Sequence, residues 1–328
     1  MKKILIIGGE GYIGQELNSF LQSQKQKFEI CVVDSILYKQ LTLKKNKKFS
    51  NYSFVKYDLS NNKKNDEILN NVYCVILLSG LVGDPITKKY PLESKKNNET
   101  LIKKFINQSF KKKIPRLIFI STCSNYGLRN INNKAKENSI LKPLSLYSKS
   151  KVSLERFILN KKKGSTVPTI LRFATAFGLS PRMRFDLTIN EFTKDIFLKK
   201  KLDVYDIDTW RPYCHIKDFS RLIYKVINAD KNKVNFQVFN AGSTTNNFTK
   251  QMIIQRILKY IKTINIRYLD KGKDRRNYRV DFSKVNKKLG FKIKYSIDYG
   301  INEIIDWLKK NKKIKFNKLG NYKINVNN

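Results

Sequence analysis

The run Tyr147-Ser-Lys-Ser-Lys151 places a phenol and an ammonium four residues apart, and at helical spacing the two share one face. A phenol has a reference pKa near 10, so a tyrosine serving as a base at neutral pH must lose about 3 units, or about 4 kcal/mol. One ammonium about 4 Å away at an effective dielectric near 20 contributes on that order, so Lys151 is expected to activate Tyr147. A tyrosine and a lysine at this spacing are common by chance in a chain with 17 Tyr and 67 Lys+Arg. The pair gains its weight from Ser121-Thr-Cys-Ser-Asn-Tyr-Gly127, which closes an apolar run and offers a hydroxyl that can polarise a substrate hydroxyl or carbonyl.

A second motif binds rather than reacts. Ile4-Leu-Ile-Ile-Gly-Gly-Glu-Gly-Tyr-Ile-Gly14 sets Gly8, Gly11 and Gly14 straight after an apolar run and at the head of a helical stretch. That spacing allows a tight turn, a close backbone approach to a pyrophosphate, and a helix N-terminus whose amides face the anion. Asp34 follows at the end of the second apolar run, where a carboxylate accepts from a ribose diol and repels a 2′-phosphate. The expected cofactor is therefore NAD rather than NADP, and Lys151 would also reach the nicotinamide ribose. Asp58 and Leu59, after the third run, are expected beside the adenine, unless Asp58 caps the next helix.

Apolar runs at 3–7, 28–33, 52–57, 72–78, 116–121 and 167–172 alternate with helical stretches at 11–25, 63–70, 91–112 and 146–163. Near-continuous apolar strands alternating with helices predict an α/β fold, a Rossmann-type doubly wound parallel sheet with right-handed crossovers. Ligands bind at the carboxyl edge of such a sheet, which is where the glycine loop and Ser121 fall. After Arg172 the alternation breaks into a loop and one helix (179–210), a strand (236–241) and a loop leading to a short helix (278–290). Residues 1–175 are expected to form the NAD-binding domain, with 211–240 returning to it. Residues 176–210 and 241–328 then make a smaller mixed α/β substrate lobe.

Further stretches join these motifs: Leu78-Ser-Gly80, Asn98, Glu155, Leu171-Arg-Phe-Ala-Thr-Ala-Phe-Gly178, Arg211-Pro-Tyr-Cys-His-Ile-Lys-Asp218, Asn240-Ala-Gly242 and Arg276-Asn-Tyr-Arg-Val-Asp281. Over most of its length the chain thereby resembles the extended short-chain dehydrogenase/reductase family, the NAD-dependent epimerase/dehydratase enzymes of nucleotide sugars. The resemblance implies Thr122 as catalytic hydroxyl, Tyr147 as acid/base and Lys151 as its activator. Beside the three glycines, Asp34, Asp58 and Leu59, it implies cofactor contacts from Tyr12, Ile13, Leu78, Ser79 and Gly80. Asn98, Ser121 and Phe173 complete that set. For a nucleotide-diphosphate sugar it implies Arg211 on the diphosphate, with Thr122, Tyr147 and Thr175 at the sugar. Arg182 and Arg184, in the basic loop 180–187, and Arg276 are further substrate candidates. Thr175 stands where many members carry Asn, and Ser79-Gly80 where many carry two alanines, departures that bear on substrate contacts more than on the cofactor.

The implied reaction is a redox-neutral epimerisation through a transient 4-keto sugar; a net reductase or dehydrogenase would use the same residues. The family's 4,6-dehydratases carry a carboxylate just after the catalytic hydroxyl. Here Cys123 and Ser124 follow Thr122, so loss of water is not expected unless a cysteine of shifted pKa, or a carboxylate reaching in from Asp84 or Asp186, substitutes. Helices 91–112 and 146–163 commonly form a dimer interface in the family, which implies a homodimer.

The formal charge of +41 comes from lysines spread along the chain in groups such as 44–48, 111–113 and 309–313. A solvated lysine-rich surface is the leading reading, attraction of phosphorylated small molecules the second, and no aromatic–basic motif argues for nucleic acid. The longest apolar run, 72–82, is shorter than the roughly 20 residues that span a bilayer. The first nine residues lead into Glu10 rather than a cleavage site, so a cytoplasmic protein off the membrane is expected. The four cysteines, 31, 74, 123 and 214, show no paired spacing and the only histidine is His215, so no metal is expected. His215 reads as a packed structural residue, and Cys123 and Cys214 as small core residues.

Overall fold

The apolar runs form strands β1 (Lys2–Ile7), β2 (Phe28–Asp34), β3 (Tyr52–Lys56), β4 (Val72–Leu77), β5 (Arg116–Thr122) and β6 (Val167–Phe173) in a computed structural model. It describes residues 1–38, 51–262, 265–270 and 275–324, so the lysine group at 44–48 lies outside the described residues. Shorter strands follow: β7 (Thr175–Phe177), β8 (Leu202–Tyr205), β9 (Trp210–His215), β10 (Gln237–Ala241), β11 (Asn247–Thr249) and β12 (Ile266–Leu269). The helices are α1 (Tyr12–Gln22), α2 (Asn62–Ile68), α3 (Asp84–Lys89), α4 (Pro91–Lys95), α5 (Leu101–Lys111) and α6 (Leu146–Leu159). After these come α7 (Thr188–Phe197), α8 (Ile216–Asn228), α9 (Lys231–Val234), α10 (Lys250–Leu258), α11 (Ser283–Leu289) and α12 (Ile297–Lys310).

Seven strands make one sheet in the order β10-β6-β5-β4-β1-β2-β3, and every pairing in it is parallel. This is a Rossmann-like α/β fold. Alternation along β1 feeds two cores: Ile4 and Ile6 join Leu17, Leu21 and Phe219 on one face, Leu5 and Ile7 join Phe105 and Leu154 on the other. β1, β4, β5 and β6 are thus buried on both sides, which is why they read as near-continuous apolar runs, while the edge strand β3 is largely exposed.

Of the segment 211–240, α8 packs on α1 and β10 extends the large sheet beside β6. β9 does not: it pairs with β7 and β11 in a separate three-stranded sheet. Around that sheet and the parallel pair β8–β12, Phe177, Ile189, Phe192, Ile253 and Ile301 build a core of their own. The stretch expected as one helix over 91–112 is interrupted by a π-helical turn at Lys96–Thr100. Residues 316–324 then run back over the sheet edge. Phe185 N donates to Leu319 O at 2.8 Å, Asn321 Nδ2 donates to Val82 O at 3.3 Å, and Tyr38 pairs with Ile324 in an isolated bridge. Among the described residues no helix is long and apolar enough to cross a membrane.

One polar cluster sits inside this apolar frame. Arg172 on β6 grips Glu155 on α6 with Nη2 at 2.6 Å from Oε2 and Nε at 3.1 Å from both oxygens. Ser121 and Asn125 donate to the same carboxylate at 2.5 and 2.8 Å, and Arg172 Nη1 donates to Tyr126 Oη at 3.0 Å. Removing one partner of a buried pair leaves the other charge uncompensated. Arg172→Met is therefore expected to lower the unfolding free energy by about 3–5 kcal/mol, read from urea denaturation. A loss within the error of that measurement would show that the pair does not pin α6 to β6.

Candidate active site

The cleft at the carboxyl edge of the large sheet has a volume of about 720 Å³ and is walled by the ends of β1, β2, β4 and β5, by α6 and by the 182–187 loop. Such a volume suits a ligand-sized site. At its floor Gly8 takes φ +83°, and a Cβ there would lie 2.6 Å from the Ser79 backbone. A Cβ on Gly14 would lie 2.5 Å from Gly9, so α1 can close on the turn only without a side chain. Gly11 caps α1 in extended conformation and faces the cleft.

Asp34 is held at the lip, Oδ2 accepting from Glu10 N at 3.0 Å and Oδ1 from Ile36 N at 2.8 Å. Burial raises its pKa, opposed by those two amides and by the charge of Arg182. Ser79 Oγ is buried and has no hydrogen-bond partner among the described residues, although the residue lines the cleft. A glycine cradle, an anchored carboxylate and an orphaned hydroxyl together fit a dinucleotide. Leu59, Leu78, Gly80, Ile13 and Phe173 line the same space, Phe173 stacked on Phe219 at 3.8 Å between ring centroids. Asp58 also lines it and accepts from Ser60 N at 3.1 Å, while the cap of α2 is Asn61.

Of three further expected cofactor contacts, Tyr12 and Ser121 line the cleft with their hydroxyls engaged, and Asn98 lies behind it. Asn98 does not line the cleft: Oδ1 accepts from Leu81 N at 2.6 Å and Nδ2 donates to Leu81 O at 3.0 Å. Its amide clamps the loop after β4, so it acts on the site through that loop. Tyr12 Oη donates to Gly178 O at 2.6 Å, tying α1 to the second lobe, and the Ser121 hydroxyl is spent on Glu155.

Thr122 ends β5 and Tyr147 opens α6, whose capping box is formed by Ser145 and Ser148. Both line the cleft. Thr122 Oγ1 accepts from Ser124 N at 3.1 Å, which leaves its proton for a ligand. The half-buried Tyr147 has no hydrogen bond on its hydroxyl among the described residues. Lys151 lines the same cleft. Lys151 Nζ donates to Ile120 O at 2.9 Å and stands 5.8 Å from the Tyr147 ring centroid. Burial pushes the Tyr147 phenol above its ordinary value, with Arg184 opposing and Asp84 adding to the rise. Burial also pushes the Lys151 ammonium down to about 8.

The arginines divide by their partners. Arg184 is gripped by Asp186, with Nη2 at 2.6 Å from Oδ2 and Nε at 3.2 Å from Oδ1. Arg276, expected as a phosphate ligand, lines the cleft, pairs with Asp84 at 3.0 Å and donates to Ser124 Oγ at 3.2 Å. Arg182 donates to Asn321 at 2.8 Å with its guanidinium over the Tyr38 ring, and burial lowers its pKa to about 10. Arg211 lies over the Tyr278 ring at 5.2 Å and donates to Trp210 O. Thr175 on β7 faces the cleft with them. Sequence reasoning gave no site role to Tyr38 or Asn321, and offered Asp84 only as a carboxylate that could reach in to replace the missing acid; the Gly83-Asp84-Pro85 turn carries its signal, a carboxylate fixed between a flexible and a rigid residue.

Cys123 turns from the cleft and donates to Arg172 O at 3.2 Å, burial holding its thiol well above the ordinary range. His215 caps α8 and contacts Glu303 at 2.6 Å through Nε2. Among the described residues no three His, Cys, Asp or Glu side chains are grouped to hold a metal.

Residues 4–242 match the NAD dependent epimerase/dehydratase family. An uncharacterised protein of Methanocaldococcus jannaschii is 27% identical, over 95% of this chain and 97% of its own. Among solved structures, the UDP-glucuronic acid 4-epimerase of Bacillus cereus, in complex with UDP-glucuronic acid and NAD, superposes with a TM-score of 0.84 at 24% identity. The match covers 94% of this chain and 99% of that one. The dTDP-glucose 4,6-dehydratase of Bacillus anthracis, in complex with NAD, gives 0.82 at 22%, covering 95% and 98%. Because Asp34 would oppose a 2′-phosphate, NAD is expected to bind at least about tenfold tighter than NADP, a margin of about 1.4 kcal/mol. Calorimetric titration checks this, and equal affinities would remove Asp34 from the ribose. The chain belongs to the NAD dependent epimerase/dehydratase family and is an enzyme that uses NAD.

Proposed function

We propose that the enzyme is a nucleotide-sugar 4-epimerase. The observation that carries this reading is the pairing of Thr122 and Tyr147 in one cleft with the glycine loop, with Cys123 turned away where a dehydratase would need an acid. Tyr147 Oη takes the proton of the sugar C4 hydroxyl while Thr122 donates to the same oxygen. NAD, when bound, would supply a reversible hydride acceptor. The 4-keto sugar turns in the cleft, and Tyr147 returns its proton once the opposite face is presented. Gly8, Gly11, Gly14, Asp34 and Ser79 would hold the cofactor; Arg211 would take the diphosphate, since a planar guanidinium matches phosphate oxygens. We place the homodimer contact on α4 and α6, where Leu92 is 78% and Leu146 46% exposed.

Incubation with UDP-, GDP-, CDP- and dTDP-hexoses is expected to yield the C4 epimer and no product that has lost water, followed by mass spectrometry and NMR. Tyr147→Phe should abolish turnover and leave NAD affinity nearly unchanged. A dehydrated product, or stoichiometric consumption of NADH, would overturn the epimerase reading.

The titration of Lys151 sets the alkaline side. An ammonium with its pKa lowered to about 8 loses its charge as pH rises through that value. Catalysis that uses the charge should therefore fall above about pH 8. A kcat/KM profile still flat at pH 10 would free the reaction from Lys151.

A further inference from the structure

Asp84 is the one carboxylate that reaches toward Tyr147 from the loop after β4. Gly83, at φ +116°, and Pro85 fix its backbone, and the helix it opens, α3, packs against α6. Oδ2 lies 3.0 Å from Arg276 Nη2; Oδ1 is buried and accepts from nothing among the described residues. A buried acceptor without a donor is costly, and the cost is lifted when a ligand supplies one. Asp84 lines the cleft together with Tyr147 and Thr122, and the donors that a nucleotide sugar would bring there are the hydroxyls of its sugar.

The charges around it point the same way. Arg184 is already neutralised by Asp186 and Arg276 by Asp84 itself. Arg182 lies over Tyr38 at 4.9 Å, on the Asp34 side of the cleft. A sugar carboxylate beside Tyr147 would thus meet a carboxylate and two cations that already have partners, and like charges at such range repel. We propose that Asp84 Oδ1 accepts from sugar hydroxyls, so that the site takes neutral hexoses and disfavours uronic acids. This rests on the nucleotide-sugar reading and parts from the Bacillus cereus enzyme, which binds UDP-glucuronic acid.

Calorimetric titration of the NAD-loaded protein with UDP-glucose, UDP-glucuronic acid and UDP tests it. UDP-glucose is expected to bind at least about tenfold tighter than UDP-glucuronic acid. Asp84→Asn and Asp84→Ala, each checked for an unchanged circular dichroism spectrum, should narrow that ratio about tenfold through loss of the charged acceptor. Equal or tighter binding of the uronate by the wild type, or a ratio unmoved in both variants, would overturn the proposal. If UDP binds in those cases, the nucleotide-sugar reading survives. Binding of none of the three ligands would overturn both.

Discussion

The buried contact between Glu155 and Arg172 governs where the chemistry sits. Glu155, Lys151 and Tyr147 recur at four-residue spacing along α6, so a single clamp at Glu155 sets the rotation of the helix and the depth of the two reactive side chains. Burying such a pair gains little net stability over apolar packing. Its value lies in direction. An apolar α6 could slide or turn on the sheet at small cost, whereas the fork of Arg172 accepts the carboxylate in one orientation. Ser121 and Asn125 bind the same carboxylate, so the end of β5, and with it Thr122, is fixed by the same clamp.

Inside the cleft the opposite economy holds: polar groups are left short of partners on the ligand side. Ser79 Oγ and Asp84 Oδ1 are buried without donors or acceptors, and the Tyr147 hydroxyl is unbonded among the described residues. Asn98, behind the cleft, is by contrast satisfied on Leu81. Lys151 shows how finely the balance is drawn, since its ammonium is retained against burial by a single carbonyl and by the nearby charge of Glu155.

Much of the frame was legible because it depends on short-range rules. The six apolar runs of the parallel sheet and the glycine turn are local signals, and each appears within a residue or two of its expected place. The second lobe was less legible. β7, β9 and β11 are three to six residues long and pair across gaps of dozens of residues, so no local periodicity marks them. Side-chain direction was hidden for the same reason. Spacing put Lys151 on the Tyr147 face, but its hydrogen-bond partner, Ile120, lies on a neighbouring strand. That Asn98 is held by Leu81 and Arg276 by Asp84 was not readable either, because neither partner is a neighbour in sequence.

The return of residues 316–324 over the sheet edge has a bearing on what a bound ligand stabilises. Those residues contribute Asn321 and Tyr322 to the cleft and bridge the loops after β2 and β4. The large sheet is complete at Ala241, so this wall of the cleft comes from a segment far along the chain from every strand it covers. A ligand that touches both the glycine turn and this wall binds only when the segment is seated, and mass action then holds the segment against the sheet.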